Sequence, residues 1–225
     1  MNLIQFTGLL LILLPIAFNV LFFLLQRTFE YPDILRMPTD YILSRFSTGG
    51  KRLIMIWYSF ALTTLLFIPI AILMHQVLAR DEMPYMVLAT TIGVLAGVVQ
   101  FLGLIRWTFV VPYLAQTYFE PNSSQATRDS IGIVFQAFHR YAGAAIGEHL
   151  GYLCTSIWTA FTALAITQSP QFNPWLGWAG FLPALGIFIG LFEEAGFKPA
   201  AAINAISYIL WSIWLIVVGV VFLLH

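Results

Sequence analysis

The side chains able to do chemistry in this sequence are concentrated in one otherwise apolar stretch, residues 131–167. The carboxyl group of Glu148 is followed at once by the imidazole of His149, and both groups can take up and release protons. The guanidinium of Arg140, or that of Arg106 in an earlier apolar stretch, is suited to binding an anionic group. These residues and their hydrogen-bonding neighbours make up one candidate polar site: Arg106, Gln136, His139, Arg140, Glu148, His149 and Tyr152.

The composition indicates that most of the chain faces lipid. Hydrophobic residues make up 60% of the 225 residues and charged residues 9%, whereas a soluble domain has about 25% charged residues. The lipid bilayer is therefore the principal partner. The net charge of +0 gives no indication of nucleic-acid binding. The single cysteine, Cys154, excludes both an intramolecular disulfide and a cysteine metal cluster.

Six apolar segments are long enough to cross a bilayer as helices, which takes about 20 residues each. They are residues 3–25, 53–78, 86–111, 131–167, 175–192 and 203–224. We read residues 3–25 as a retained transmembrane helix, because no basic leader precedes the apolar run and no small-residue cleavage site follows it. The ten-residue alternation typical of a barrel is missing. The sequence therefore predicts an all-α, polytopic transmembrane helix bundle that forms a single domain over residues 1–225.

The basic residues predict the orientation of these helices. They are concentrated after the first segment, at Arg27, Arg36, Arg45, Lys51 and Arg52. The positive-inside rule then places the first loop in the cytoplasm. With six crossings of the plasma membrane (the inner membrane of a bacterium), both termini lie outside.

The first loop itself contains a predicted short helix, at about residues 38–46. Pro38 suits a first helical turn, and the apolar side chains of Tyr41, Ile42 and Phe46 can share one face. This pattern favours a helix in the cytoplasmic interface, with an ordinary ordered loop as the alternative. Trp57 falls near a predicted interface, where aromatic side chains are frequent.

Three glycines recur every four residues in the fourth segment, at Gly143, Gly147 and Gly151. At about 100° per residue, each step of four turns an α-helix by only about 40°. The glycines therefore form one bare stripe, against which another helix can approach closely. That helix belongs either to the same chain or to a partner.

The fourth segment is longer than one crossing requires. At about 1.5 Å per residue it would extend roughly 55 Å, compared with a hydrocarbon core of about 30 Å. Its first turns can therefore lie in water, which is the simpler interpretation of His139 and Arg140. Glu148 and His149 would lie near the inner boundary of the hydrocarbon, where an ionisable side chain predicts a functional site.

Arg106 is the predicted charge partner of Glu148, because it ends segment three on the same side of the membrane. Tyr152 shares a helix face with Glu148 and can donate a hydrogen bond to its carboxylate. Two interpretations stay open: a structural ion pair, or a site for a substrate or proton.

No cofactor and no metal are predicted. His75 and His149 lie at different depths, which argues against a shared haem iron. His139 and His149 are ten residues apart on one helix, too far to bind one metal ion. The HExxH spacing of zinc enzymes does not occur.

Three functions are compatible with these observations. The first, which we favour, is a non-enzymatic membrane protein that binds or conducts a small molecule or a proton at the polar site. The second is an accessory or scaffold subunit of a homo- or hetero-oligomer, packing through the stripe of Gly143, Gly147 and Gly151. The third is a membrane-embedded enzyme that uses Glu148 and His149 as acid and base.

Motifs spread over most of the chain also carry a family resemblance, and the most specific of them lie in the fourth segment. They are Pro38–Leu43, Arg106–Pro112, Phe135–Gly143, Gly147–Tyr152, Trp175–Trp178 and Asn204–Trp211. On these residues the chain resembles the prokaryotic membrane-protein family catalogued as domain of unknown function number 4386. The resemblance implies a compact six-helix membrane protein, and it implies no activity, cofactor or catalytic residue.

Overall fold

The structure is a computed structural model that describes residues 1–80 and 83–225. Every regular element within these ranges is a helix. The α-helices are α1 (Leu3–Phe29), α2 (Thr39–Leu65), α3 (Phe67–Leu78), α4 (Tyr85–Tyr118), α5 (Gln125–Phe138), α6 (Gly151–Thr167), α7 (Pro174–Ile189) and α8 (Ala200–Leu223). A π-helix (His139–Leu150) connects α5 to α6, and short 3-10 helices occupy Asp33–Arg36 and Gly190–Phe192.

Six helical stretches in the described residues are long and apolar enough to cross a membrane. They are Leu3–Phe29, Thr39–Leu78, Tyr85–Tyr118, Gln125–Thr167, Pro174–Phe192 and Ala200–Leu223. This confirms the predicted all-α membrane fold with six spanning helices. The protein is a multi-pass membrane protein, and lipid contacts its helices.

The helical stretches extend beyond the predicted apolar segments at their polar ends. The second stretch begins at Thr39 instead of residue 53, so that the predicted short helix runs into it. The fourth begins at Gln125 instead of residue 131. There the side chain of Ser124 accepts a hydrogen bond from the Thr127 backbone N–H at 3.1 Å, a capping contact that fixes the first turn. Polar caps of this kind lie outside the apolar runs from which spans are recognised.

The chain is divided into two compact units. Unit 1 contains Met1–Ile16, Thr64–Val99 and His149–His225, and unit 2 contains Ala17–Thr63 and Gln100–Glu148. The candidate site residues are divided between them. Arg106, Gln136, His139, Arg140 and Glu148 belong to unit 2, while His149 and Tyr152 belong to unit 1.

Two buried tryptophans of unit 1, Trp211 and Trp214, have their indole N–H groups hydrogen-bonded. The Trp211 indole N–H donates to the Thr159 hydroxyl at 2.8 Å, and the Trp214 N–H donates to the Leu176 carbonyl at 2.7 Å. Phe67 packs edge-on against Trp211 at 5.6 Å between ring centroids. Trp211 and Trp214 thus combine apolar contact with a satisfied indole N–H.

Unit 2 has a core built around two stacked tryptophans. The rings of Trp57 and Trp107 lie 4.7 Å apart with an interplanar angle of 11°. Phe29 packs edge-on against both, at 5.9 and 5.3 Å. Phe46 and Phe135 complete the aromatic cluster at 5.9 and 6.2 Å from Trp107. This cluster brings α1, both ends of α2, α4 and α5 together within the unit.

The backbone of α2 breaks at Gly50, which has φ 54° and ψ −151°. An L side chain rarely adopts this conformation, whereas glycine does so without a steric penalty. The break separates the stretch with Arg45 and Phe46 from the stretch with Trp57, and both Phe46 and Trp57 are buried in the aromatic cluster. Gly50 therefore sets the direction change on which that packing depends.

We expect Gly50→Ala to destabilise the protein by about 1–3 kcal/mol, the usual cost of holding an L residue in such a conformation. A Cβ at Gly50 would meet no atom within 4 Å, so the cost would come from the backbone alone. Gly132→Ala is the matched control, because its Cβ also meets no atom within 4 Å and its backbone is helical. We expect that control to be neutral or stabilising by up to about 1 kcal/mol. Unfolding of both variants in mixed micelles measures the difference, and equal effects would contradict the account.

Candidate functional site

A buried guanidinium lies at the centre of unit 2. Arg106 is only 6% exposed, although it belongs to a helix able to cross the membrane. Its Cζ lies 5.3 Å above the ring of Trp107, an arrangement that favours the cation electrostatically. Its Nη1 donates to the carbonyl of Gly103, one turn earlier in α4. Arg106 is therefore held between its own helix and the aromatic cluster.

Gly143 provides the space that the guanidinium occupies. A Cβ placed on Gly143 would lie 2.5 Å from Nη2 and 2.8 Å from Cζ of Arg106. Atoms do not approach so closely, so any larger residue at this position would displace the charged group. The glycine in the π-helix and the arginine in α4 therefore fit together as a pair.

The backbones of α4 and the π-helix make a second close approach one turn away. A Cβ on Gly103 would lie 2.5 Å from the Cα of Gly147, and a Cβ on Gly147 would lie 2.9 Å from the Cα of Gly103. Backbone atoms cannot move aside as a side chain can. Gly103 and Gly147 thus bring α4 and the π-helix into direct backbone contact, while Gly151 is buried in unit 1.

The π-helix changes the register that an α-helical count assigns to the fourth span. Its i→i+5 hydrogen bonds widen the turn, so residues three or four apart no longer overlie each other as in an α-helix. It covers His139–Leu150 and therefore includes most of the ionisable residues of this span. Such insertions into α-helices occur frequently at functional sites.

Glu148 supplies the negative charge of the site. The carboxylate interacts electrostatically with Arg106 and with Tyr31, and Tyr31 and Arg106 also interact with each other. Tyr31 lies in the segment between α1 and α2 and packs on Trp57 at 5.2 Å. Burial raises the pKa of Tyr31 above its usual value, the Glu148 carboxylate raises it further, and Arg106 opposes both effects. Tyr31 therefore keeps its proton at neutral pH and remains a hydrogen-bond donor.

His139 lies at the start of the π-helix and is half-buried. Its ring is stacked on Phe135, 6.0 Å away with an interplanar angle of 4°. Both Arg106 and Arg140 act on it electrostatically. The structure thus places the His139 ring against Phe135 of the aromatic cluster, with part of the side chain exposed.

The other predicted site residues lie elsewhere. Gln136 contacts α2, because its side-chain amide donates a hydrogen bond to the Thr39 hydroxyl at 2.8 Å. Arg140 and His149 are exposed. Tyr152 is half-buried in unit 1, where its ring lies 5.7 Å from that of Tyr208. Unit 2 therefore assembles Arg106, Glu148 and His139 from the candidate set.

Several buried polar atoms of this unit have no hydrogen-bond partner in the described residues. They include the indole nitrogens of Trp57 and Trp107, the Thr108 hydroxyl and Nδ1 of His139. An unpaired buried donor costs about 1–3 kcal/mol. Trp211 and Trp214 of unit 1, in contrast to Trp57 and Trp107, both donate hydrogen bonds.

Sequence analysis missed three contributors to this region: Tyr31, Trp57 and Trp107. Tyr31 lies in a loop and Trp57 falls at the start of a predicted apolar segment, so neither lies near the polar stretch of the fourth span. It also missed Glu30, whose carboxylate pairs with Arg45 at 2.8 Å and accepts a hydrogen bond from Tyr41 at 3.0 Å. The available signal in the sequence was the presence of opposite charges, Glu30 and Arg45, in the predicted first loop.

Metal binding finds no support in the geometry. In residues 1–80 and 83–225, no three His, Cys, Asp or Glu side chains lie close enough together to hold a metal ion. No residue is therefore assigned as a metal ligand.

We expect Gly143→Ala to destabilise the protein by about 1–3 kcal/mol, because the added methyl group displaces a buried, hydrogen-bonded guanidinium. In an Arg106→Gln background the same substitution should cost less, since the shorter side chain leaves room for the methyl group. Unfolding of the two single variants and the double variant in mixed micelles measures this coupling. Equal costs in the two backgrounds would show that Gly143 and Arg106 do not fit together as described.

Comparison with known proteins identifies a family. Residues 6–219 match the family described as "Domain of unknown function (DUF4386)", and the chain therefore belongs to it. This confirms the resemblance seen in the sequence motifs. No curated protein and no solved structure matches the chain.

Proposed function

We propose that this member of the family is a non-enzymatic membrane protein that binds a small acidic molecule in unit 2. Arg106 holds the acid group, and Glu148 is the internal carboxylate that balances Arg106 when the site is empty. The observation that carries the proposal is an arginine only 6% exposed in a membrane-spanning helix, with its guanidinium over the ring of Trp107.

The burial of Arg106 is costly, and an apolar side chain would avoid that cost. Removing one charge from water costs several kcal/mol even after relaxation, and a charge pair often stabilises less than apolar residues of similar volume. Ionisable residues within membrane spans are rare and commonly mark binding sites or ion pathways. A binding role for Arg106 accounts for a residue that stability alone does not favour.

The unpaired donors around Arg106 support an acidic ligand in particular. Trp57 and Trp107 each present an indole N–H, which can only donate. Tyr31 and the Arg106 guanidinium are donors as well. A carboxylate offers about four lone-pair directions and no donor, so its chemistry complements this set, whereas an amine would not.

Glu148 is assigned the part of a competing carboxylate. It interacts electrostatically with Arg106 and Tyr31, and an incoming acid would take its place as the partner of Arg106. Binding would then be opposed by Glu148 when that residue is charged. Replacing Glu148 with glutamine should therefore tighten binding.

The glycines of the fourth span are proposed to serve packing within the chain. Gly143 makes room for Arg106, and Gly147 meets Gly103. These contacts support an internal role for this part of the stripe and not a partner's helix. The Glu148 and His149 enzyme hypothesis receives no comparable support, because His149 is exposed and belongs to unit 1.

We also propose that the protein lies in the plasma membrane with both termini outside. The region predicted as the first loop, with Arg36, Arg45, Lys51 and Arg52, then faces the cytoplasm. The excess of basic residues in this loop supports the orientation.

The proposed preference for an acidic ligand is tested with acids of different size and with their neutral amides. Equilibrium binding of acetate, benzoate and octanoate is compared with that of the three corresponding amides, on purified protein in lipid nanodiscs. We expect at least one acid to bind roughly tenfold tighter than its amide, because a charged hydrogen bond contributes about 1.5–3 kcal/mol. Arg106→Gln should remove this preference, and Glu148→Gln should strengthen it.

Arg128→Gln is the matched control. The Arg128 guanidinium also lies over an aromatic ring, that of Tyr118 at 5.8 Å, which packs against the same hydrophobic core without belonging to the stacked Trp57–Trp107 pair. We expect this variant to bind as the wild type does. If no acid is preferred to its amide, or if Arg106→Gln and Arg128→Gln behave alike, the proposal is wrong.

A further inference from the structure

A second polar feature of unit 2 lies at the break in α2. A pocket of about 350 Å³ is lined by the end of α1 and by α2 on both sides of Gly50: Thr28, Arg45, Thr48, Gly49, Arg52, Leu53 and Ile56. Two arginines thus line one pocket, and none of its lining residues is acidic. Its lining includes Leu53 of the core that contains Trp57 and Trp107, but neither Arg106 nor Glu148.

The two arginines differ in how their charge is balanced. Arg45 pairs with Glu30 through Nη2 at 2.8 Å, while its Nε is buried and has no partner in the described residues. Glu30 is already engaged twice, because it also accepts a hydrogen bond from Tyr41 at 3.0 Å. Arg52 is exposed and has no ion-pair partner within residues 1–80 and 83–225. The pocket therefore carries an excess of positive charge and an unused N–H donor.

The shape and polarity of the pocket suit a phosphate group attached to an apolar body. Arginine presents several N–H donors in a fork that matches phosphate oxygens. The helical stretch that begins after Gly50 adds the positive end of its dipole at the same place. The opposite wall is apolar, with Leu53 buried and Ile56 half-buried. Thr28 and Thr48 donate their hydroxyl hydrogens to Leu24 and Ser44 carbonyls, so the arginines supply the donors.

We propose that this pocket is a phosphate-binding site, occupied by the headgroup phosphate of an anionic phospholipid. The site lies between the end of a membrane-spanning helix and a basic loop, which is where lipid phosphates are found. The apolar wall accommodates the start of the acyl chains. Arg45 and Arg52 bind the phosphate oxygens.

The amount of lipid that stays bound to the purified protein tests the proposed site directly. Purified protein in detergent is titrated with phosphatidylglycerol or phosphatidylcholine, and bound lipid is counted by native mass spectrometry. We expect phosphatidylglycerol to bind preferentially to the wild type. The Arg45→Gln/Arg52→Gln variant should bind phosphatidylglycerol at least roughly tenfold more weakly than the wild type, because each basic residue near an anionic lipid contributes about a factor of five to the affinity.

Two further variants separate a specific pocket from general charge attraction and from misfolding. Arg27→Gln/Arg36→Gln removes the same charge from the same loop region outside the pocket, and we expect it to retain most of the affinity. Thr48→Trp fills the pocket without changing any charge, and we expect it to lose phosphatidylglycerol binding while its thermal unfolding midpoint stays near that of the wild type. Equal losses in the two arginine pairs, or normal binding by Thr48→Trp, would overturn the proposal.

Inorganic phosphate distinguishes the two sources of the ligand group. If millimolar phosphate displaces phosphatidylglycerol from the wild type, whereas the same concentration of sodium chloride does not, the pocket also takes the free ion. If only phosphatidylglycerol binds, the site requires the lipid. If neither phosphatidylglycerol nor phosphate binds the wild type more tightly than the Arg45→Gln/Arg52→Gln variant, the pocket is not a phosphate site.

Discussion

A full positive charge buried in a membrane-spanning helix places the strongest constraint on this molecule. The guanidinium of Arg106 must be compensated by everything around it, because lipid and aromatic side chains cannot solvate it. Unit 2 meets this requirement in several ways: Trp107 offers its ring face, Gly103 its carbonyl and Glu148 its charge. Gly143 leaves the necessary space. The π-helix, the close approach of Gly103 to Gly147 and the placement of Tyr31 all belong to the same arrangement. A substitution of any one of these groups should therefore change the packing or the charge balance of the others.

The architecture could be predicted because the bilayer requires it. Each of the six spans appears in the sequence as an apolar run of about the length that a hydrocarbon core demands. A short helix at about residues 38–46 was predicted as well, but its junction with the second span was not, nor were the first turns Gln125–Ser130 of the fourth span. Their stability comes from caps and tertiary contacts, for example Ser124 with Thr127 and Gln136 with Thr39. These contacts leave little trace in hydropathy.

The site was predictable only in part, and for a geometrical reason. Arg106 and Glu148 were recognisable because ionisable residues in apolar runs are conspicuous. The faces on which their neighbours lie were inferred with an α-helical register, and the π-helix from His139 to Leu150 invalidates that count. Tyr31 and Trp57 come to the site from distant parts of the chain, so no local pattern marks them. Trp57 falls at the start of the apolar run that begins at residue 53, but its helix begins at Thr39 and its side chain is buried in the aromatic cluster.

The most direct test of the central claim is a double-mutant cycle between Arg106 and Glu148. The free energy of unfolding is measured in mixed micelles for the wild type, Arg106→Gln, Glu148→Gln and the double variant. Each single variant leaves one charge without its partner, so the account predicts that the double variant is less destabilised than the sum of the two, by about 1–3 kcal/mol. Strictly additive effects would mean that the two charges do not compensate each other, and the arrangement described around Arg106 would be incorrect.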